Sequence, residues 1–407
     1  MVNSNSDALG IIFPNSYDPL VPELVGERLM ASIPFAGRYR MVDFILSSMA
    51  NCGIDNISMI VRNNYHSLMD HLGSGREWDL VRKKGGLNIV PPYAEKTVKV
   101  YNGRVEALAS IIDYLKDQKE KYAVLADANI ALNFDFNALI EAHEASKADV
   151  TMAYKEEPLP AGLLGAPVNS SALYYTLSLA GDKVSKIYIN AKETGNQNFY
   201  LNICVMSREL LIDLINTAFI RGYVYFERDI LAPQIDKLDI RSFRFDGYTA
   251  RICDMNSYFD ENMKLLDDEN LDALFSPSPV YTKIRDDNPT RYINGSRANN
   301  IMAADGCVIE GEAENSILFR GVKIAKGARV KNCVLMQDTV IEEGADLEYV
   351  ITDKNVTVTA DKELKGSDTF PVYIAKSRTV KHHMLKNHPS DWSFHSPLRG
   401  DPLSYPV

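Results

Sequence analysis

Along the first two thirds of the chain, apolar positions switch between short, nearly continuous runs and helical spacing. Ala8–Phe13 is such a run, as expected of a strand buried on both faces. Met41, Phe44, Ile45, Ser48, Met49 and Cys52 then fall on one helical face, Gly53-Ile54-Asp55 supplies a turn, and Asn56–Val61 reads as the next strand. The alternation continues with a helix over Val105–Lys116, a strand over Tyr122–Ala126, a helix over Asp135–Ser146 and a strand over Asp149–Tyr154. This β-α-β-α order predicts an α/β, Rossmann-like domain with a mostly parallel sheet covered by helices on both faces. Ligands of such sheets lie beyond the carboxyl ends of the strands, which singles out the loop Pro14–Pro22 and Asp127.

The texture changes near Phe275. Ser276–Val280 and Arg285–Thr290 are rich in Pro, Ser, Asp and Asn, as linkers are. Farther on, Val322, Ala328, Val334 and Val340 recur every six residues, Ile324, Val330 and Met336 form a second register, and Gly311, Gly321, Gly327 and Gly344 punctuate both. Hexad spacing of small and aliphatic residues predicts a parallel β-helix, one apolar residue per flat side of each coil. A few ordinary antiparallel strands are the alternative, because the first hexads are degenerate. The expected division is an α/β domain over 1–275, a linker over 276–297, a β-helix over 298–376 and a tail over 377–407. The tail carries His382, His383, His388 and His395, and is expected to be a solvated extension rather than a metal site.

Composition narrows the function classes. A chain of 407 residues has room for two or three domains, and a formal charge of −10 argues against a nucleic-acid-binding surface. A few local Arg and Lys residues can still hold a small anion. The five cysteines (Cys52, Cys204, Cys253, Cys307, Cys333) show no metal-ligand or redox spacing, so buried, reduced thiols are expected. With no leader and no apolar run long enough to span a bilayer, the expectation is a cytoplasmic protein without membrane contact.

Several stretches, in order, carry a resemblance. Pro34–Phe44 (PFAGRYRMVDF) is similar to PFGGKYRxIDF, Gly73–Asp79 (GSGREWD) to GxGxxWD, and Cys307–Gly311 with Glu314–Gly321 to a C-terminal β-helix. They make the chain resemble the glucose-1-phosphate adenylyltransferase (ADP-glucose pyrophosphorylase) family, within it the regulatory D-type subunits of Gram-positive bacteria. The resemblance covers nearly the whole length. It implies a nucleotidyltransferase domain followed by a left-handed parallel β-helix.

In catalytic members a GGxGxRL loop cradles the ATP triphosphate, glycines letting backbone N–H groups approach and the arginine offsetting charge as pyrophosphate leaves. Counted back from Pro34, that loop falls on Asn15, Ser16, Tyr17, Asp18, Pro19, Leu20 and Val21. No glycine remains, Pro19 has no N–H, Leu20 stands at the arginine, and Asp18 adds negative charge. The family's two substrate lysines fall on Met30 and Asn190, and its GTADA segment reads Gly103-Arg104-Val105-Glu106-Ala107. The aspartates that hold magnesium in the family correspond to Asp127 and Asp254, although aspartates at strand ends also serve as helix caps. Arg38 and Arg40 stand where effector-binding basic residues are found, with Lys376 a further candidate; surface ion pairing is their ordinary alternative.

The pattern predicts a regulatory subunit, weak or inactive by itself, that joins a catalytic homologue in a hetero-oligomer and responds to a sugar-phosphate or nucleotide effector, with Mg2+ in the complex. An active nucleotidyltransferase on glucose 1-phosphate or another sugar phosphate is the competing class. A β-helix acyltransferase needs a histidine base, and no histidine occurs between Ala298 and Lys381.

Overall fold

The computed structural model describes residues 6–92, 101–164 and 172–381; the four tail histidines lie outside the described residues. A nine-stranded sheet forms the N-terminal half. Its order is Gly86–Val90, Asn56–Ile60, Ala8–Phe13, Tyr122–Asp127, Asn196–Ser207, Val150–Pro158, Ile240–Arg244, Lys183–Ile189 and Tyr175–Ala180. The first four are mutually parallel, with Phe13 level with Asp127. Asn196–Ser207 runs antiparallel between Tyr122–Asp127 and Val150–Pro158, so the parallel character expected from the β-α alternation is interrupted at the centre.

Period-two alternation decides which face each side chain serves. From Ala8–Phe13, Ala8 and Ile12 enter one core with Val42, Ile45, Leu46 and Met49, while Leu9, Ile11 and Phe13 enter the other with Val105, Leu108, Leu211 and Ile215. The helix Met41–Asn51 packs so close to the strand that a Cβ at Gly10 would stand 2.7 Å from the Met49 sulfur. The helix expected over Val105–Lys116 is two pieces, Arg104–Ser110 and Ile112–Asp117, broken at Ile111. The Ser110 hydroxyl donates to the Ala107 carbonyl at 2.7 Å, and the β-branched pair Ile111–Ile112 follows, both unfavourable to a continuing helix.

The C-terminal part is an all-parallel β-helix, which excludes the antiparallel alternative. Arg329–Lys331 pairs in register with Asp346–Glu348, and Val334–Leu335 with Ile351–Thr352, so equivalent positions stand 17 residues apart. Of the hexad residues, Val322, Ala328, Val334, Ile324, Val330 and Met336 are buried and Val340 is half-buried. Corners between flat sides need the left-handed backbone, and Gly321, Gly327, Asn332, Asp338, Gly344, Asn355 and Asp361 take it with positive φ. The first rung begins at Arg291 and the last ends at Val380, so the coil extends beyond 298–376 on both sides. Arg291–Tyr292 carries no aliphatic hexad residue because its side chains are exposed at the end of the stack, and this hid it in the sequence.

The two parts share a core in which Phe35, Phe44 and Tyr258 meet Ile317, Phe319, Val334, Met336 and Ile351. Beside it Arg28 reaches across to Asp353 at 2.6 Å, both side chains 4% exposed. The Tyr373 hydroxyl lies 3.0 Å from both the same carboxylate and the Glu23 carbonyl, sharing its one hydrogen between them. Breaking a buried ion pair from one side leaves an uncompensated charge and costs about 3–5 kcal/mol, whereas neutralising both partners costs far less. R28A should therefore lower the thermal unfolding temperature sharply, and R28M/D353N should recover most of the loss; equal melting temperatures for R28A and wild type would contradict this.

Candidate functional site

The loop after the first strand closes on itself. Asp18–Leu20 forms a single 3-10 turn with Pro19 inside it. The N–H of Asp18 donates to the Asn15 carbonyl at 3.3 Å, that of Leu20 to Tyr17 at 3.1 Å and that of Val21 to Asp18 at 3.3 Å. Pro19 has no N–H to offer. The Asp18 carboxylate is held from both sides, accepting from the Asn15 side-chain amide and from the Met30 N–H, each at 2.7 Å. Met30 itself is buried. The phenol of Tyr17 is buried under the loop, donating to the Leu173 carbonyl at 2.7 Å and accepting from Asn202 at 2.9 Å. Burial, reinforced by Asp127, pushes that phenol well above its ordinary pKa.

Beneath the loop lies a cavity of about 90 Å³ lined by Phe13, Ser16, Tyr17, Arg104, Asp127 and Glu227 among others. Pockets that enclose drug-sized ligands measure roughly 300–1,000 Å³. Arg104, the first residue of its helix, makes ion pairs with both Asp127 and Glu227. Its guanidinium carbon lies 4.9 Å from the centre of the Phe13 ring. Burial works against the arginine's charge, but the two carboxylates outweigh it and hold its pKa well above the usual value. The Asp127 carboxyl, also accepting from Ser16 at 2.9 Å, is lifted by burial to about 6 against the pull of Arg104, and is ionised at neutral pH.

Asp254 is engaged elsewhere. It caps the helix Met255–Lys264, its carboxylate accepting from the Ser257 N–H at 2.6 Å. Its other oxygen lies so near Gly162 that a Cβ there would stand 2.2 Å away. Among the described residues no group of three or more His, Cys, Asp or Glu is arranged to hold a metal ion. With Arg104 filling one aspartate's coordination space and a helix end filling the other's, these side chains do not fit a magnesium site. Asn190 does not line the cavity: in the left-handed conformation, with φ 50°, it accepts from the Tyr174 N–H at 3.0 Å and donates its own N–H to the Tyr174 carbonyl at 2.9 Å.

A second cleft, about 310 Å³, opens between the α/β part and the β-helix. Arg38 and Arg40 line it together with Lys283, Arg285, Arg320 and Lys354. Arg40 donates to the Ser67 carbonyl and hydroxyl at 2.8 Å each, and Arg320 to the Lys283 carbonyl at 2.9 Å. Asp70 pairs with Lys283 at 3.2 Å and Asp287 with Arg285 at 3.2 Å, and Asp43, Asp305 and Asp353 bear on Arg40, Arg320 and Lys354. Burial, with Arg40 and Arg28 nearby, lowers Lys354 to about 7, and burial lowers Arg40 to about 10. Lys376 stands apart from this lining, paired with Glu27 at 2.5 Å. The four added cations come from the linker and the β-helix, and no local pattern marks them because only the fold brings them to Arg38 and Arg40. Arg104 was visible as a departure from GTADA, whereas Glu227 carried no signal. All five cysteines are buried and unpaired, and among the described residues no helix is long and apolar enough to cross a membrane.

A phosphate-loop position on a parallel sheet, followed by hexad coils, defines the class. Residues 27–162 match the nucleotidyl transferase family, and residues 284–369 the GlmU-like C-terminal hexapeptide family, whose repeats wind as a left-handed β-helix. The chain is 33% identical over 374 residues to the glycogen biosynthesis protein GlgD of Bacillus subtilis (strain 168), a match covering 91% of this chain and 96% of that protein. It is 35% identical over 332 residues to GlgD of Geobacillus stearothermophilus, covering 80% and 83%. It is 30% identical over 304 residues to the glucose-1-phosphate adenylyltransferase of the same organism, covering 74% and 77%. The chain belongs to the glucose-1-phosphate adenylyltransferase family, among the GlgD proteins.

The closed loop has a pH signature. Burial raises the Asp18 carboxyl from its ordinary 3.8 to about 6. A carboxyl whose pKa is higher folded than unfolded contributes stability that is whole below the unfolded value and lost as pH rises through the folded one. The melting temperature of wild type relative to D18N should therefore decline between pH 4 and about 6 and level off above it; parallel profiles for the two proteins would contradict this.

Proposed function

We propose that this chain is a regulatory subunit of ADP-glucose pyrophosphorylase in glycogen biosynthesis, weak or inactive alone, that enhances a catalytic homologue in a hetero-oligomer. The observation that carries the proposal is the engaged backbone of the phosphate loop. A polyanionic triphosphate needs several free N–H groups converging on it, whereas Asp18, Leu20 and Val21 donate within their own turn. Replacing the loop arginine by Leu20 and the two substrate lysines by Met30 and Asn190 removes charge-assisted contacts. Each truncated contact of that kind costs about 2–5 kcal/mol, and 1.36 kcal/mol is about tenfold in rate.

Retention of the core and of the β-helix alongside a dismantled site supports assembly with a homologue, because a chain keeping the family's packing surfaces can replace one copy in a symmetric oligomer. The cleft of Arg38, Arg40, Arg320 and Lys354 supports capture of a sugar-phosphate or other phosphorylated effector. Lys376, tied to Glu27 outside that cleft, is not part of this proposal.

ADP-glucose formation should be measured for this chain, for a catalytic homologue, and for the co-expressed mixture. The chain alone should be slower than the homologue by on the order of 10³-fold or more, and the mixture should exceed the homologue and elute as one complex. A mixture that merely matches the homologue, with no complex, would sink the proposal. In that mixture R40A or K354M should raise the half-activating concentration of a sugar bisphosphate by roughly tenfold or more. An unchanged value would remove the cleft from the mechanism.

A further inference from the structure

Three distant elements meet at the floor of the cavity beneath the loop. Asp127 ends a central parallel strand, Glu227 belongs to the π-helical turn Phe226–Leu231, and Arg104 begins the helix Arg104–Ser110. Gly103 makes the third approach close enough. A Cβ at that position would stand 2.4 Å from the Val224 carbonyl oxygen, and the N–H of Val105, two residues on, donates to the same oxygen at 3.2 Å. The Arg104 guanidinium is only 12% exposed, and the carboxylates beside it 2% and 3%. Two buried negative charges thus face one positive charge. A desolvated carboxylate pair without a counter-charge is strongly unfavourable, so a cation or a proton must be held at this point.

We infer that Arg104 is a resident counter-ion: its guanidinium occupies the space between Asp127 and Glu227 that a divalent cation would otherwise take, and so bars metal from the site. A planar fork with several N–H donors can bridge two carboxylates at once, which neither water nor a single ammonium does as well. Stacking on Phe13 fixes the plane of the fork from the third side. Without the arginine, two converging carboxylates of charge −2 would remain in a nearly dry pocket, a donor set complementary to one small divalent ion of the hard class. The inference stands apart from the regulatory proposal, since a chain that fails to stimulate any partner could still exclude metal this way.

The test is a Mn2+ titration of the full chain, followed by electron paramagnetic resonance and by melting temperature, for wild type, R104Q and R104Q/E227Q. Wild type should show no saturable Mn2+ site and no Mn2+-dependent stabilisation. R104Q should gain one site, at least roughly tenfold tighter than any wild-type binding, and should melt higher with Mn2+ present. R104Q/E227Q should lose that gain, because the second carboxylate is gone. Wild type binding Mn2+ as tightly as R104Q, or folded R104Q binding none, would overturn the inference. Should R104Q fold only with Mn2+ present, that rescue supports it. Should R104Q fold in neither condition, R104K is read in its place: keeping the counter-charge, it should fold and, like wild type, show no saturable Mn2+ site, and an unfolded or Mn2+-binding R104K overturns the inference.

Discussion

Backbone amides in a phosphate loop can point outward to a ligand or inward to their own carbonyls, and the choice made by Asp18, Leu20 and Val21 governs the rest of the cleft. Turned inward, they draw Asp18 between Asn15 and Met30, seat Tyr17 beneath the loop against Leu173 and Asn202, and leave a cavity of about 90 Å³. Each of these contacts stabilises the others because each satisfies a polar group that burial would otherwise strand. A glycine-rich loop gains such flexibility by lacking side chains; here the carbonyls of Asn15, Tyr17 and Asp18 take the N–H groups of Asp18, Leu20 and Val21.

The same segment leads straight to the β-helix. Within a dozen residues of Asp18 the chain reaches Arg28, buried against Asp353, and Glu27, on Lys376. Asp353 adjoins Lys354, which lines the cationic cleft between the two parts. An anion entering that cleft would therefore act on charges one residue from the ion pair that anchors the loop's far end. Rigid packing between Phe35, Tyr258, Phe319 and Met336 ties the same two surfaces together.

Much of the architecture was legible without the fold. Ala8–Phe13 and Tyr122–Ala126 were readable as buried strands because both of their faces are apolar, and the helix from Met41 because its apolar residues, through Cys52, repeat at helical spacing. The hexads of the β-helix were readable wherever each flat side contributes one buried aliphatic, and not at Arg291–Tyr292, where the end of the stack needs none. The break at Ile111 escaped notice because a change of helix axis leaves the apolar spacing nearly intact.

The sequence by itself determined which chemistry is missing: glycines, an arginine and two lysines are absent at Asn15, Ser16, Asp18, Leu20, Met30 and Asn190, and identity alone reveals an absent functional group. Only the tertiary structure decided what took their place. Arg104 lies 23 residues from Asp127 and 123 from Glu227, and Arg38 lies 316 from Lys354. Charges that far apart along a chain have no local pattern; only the fold brings them together, and around Arg104 burial also removes the water that would otherwise screen them.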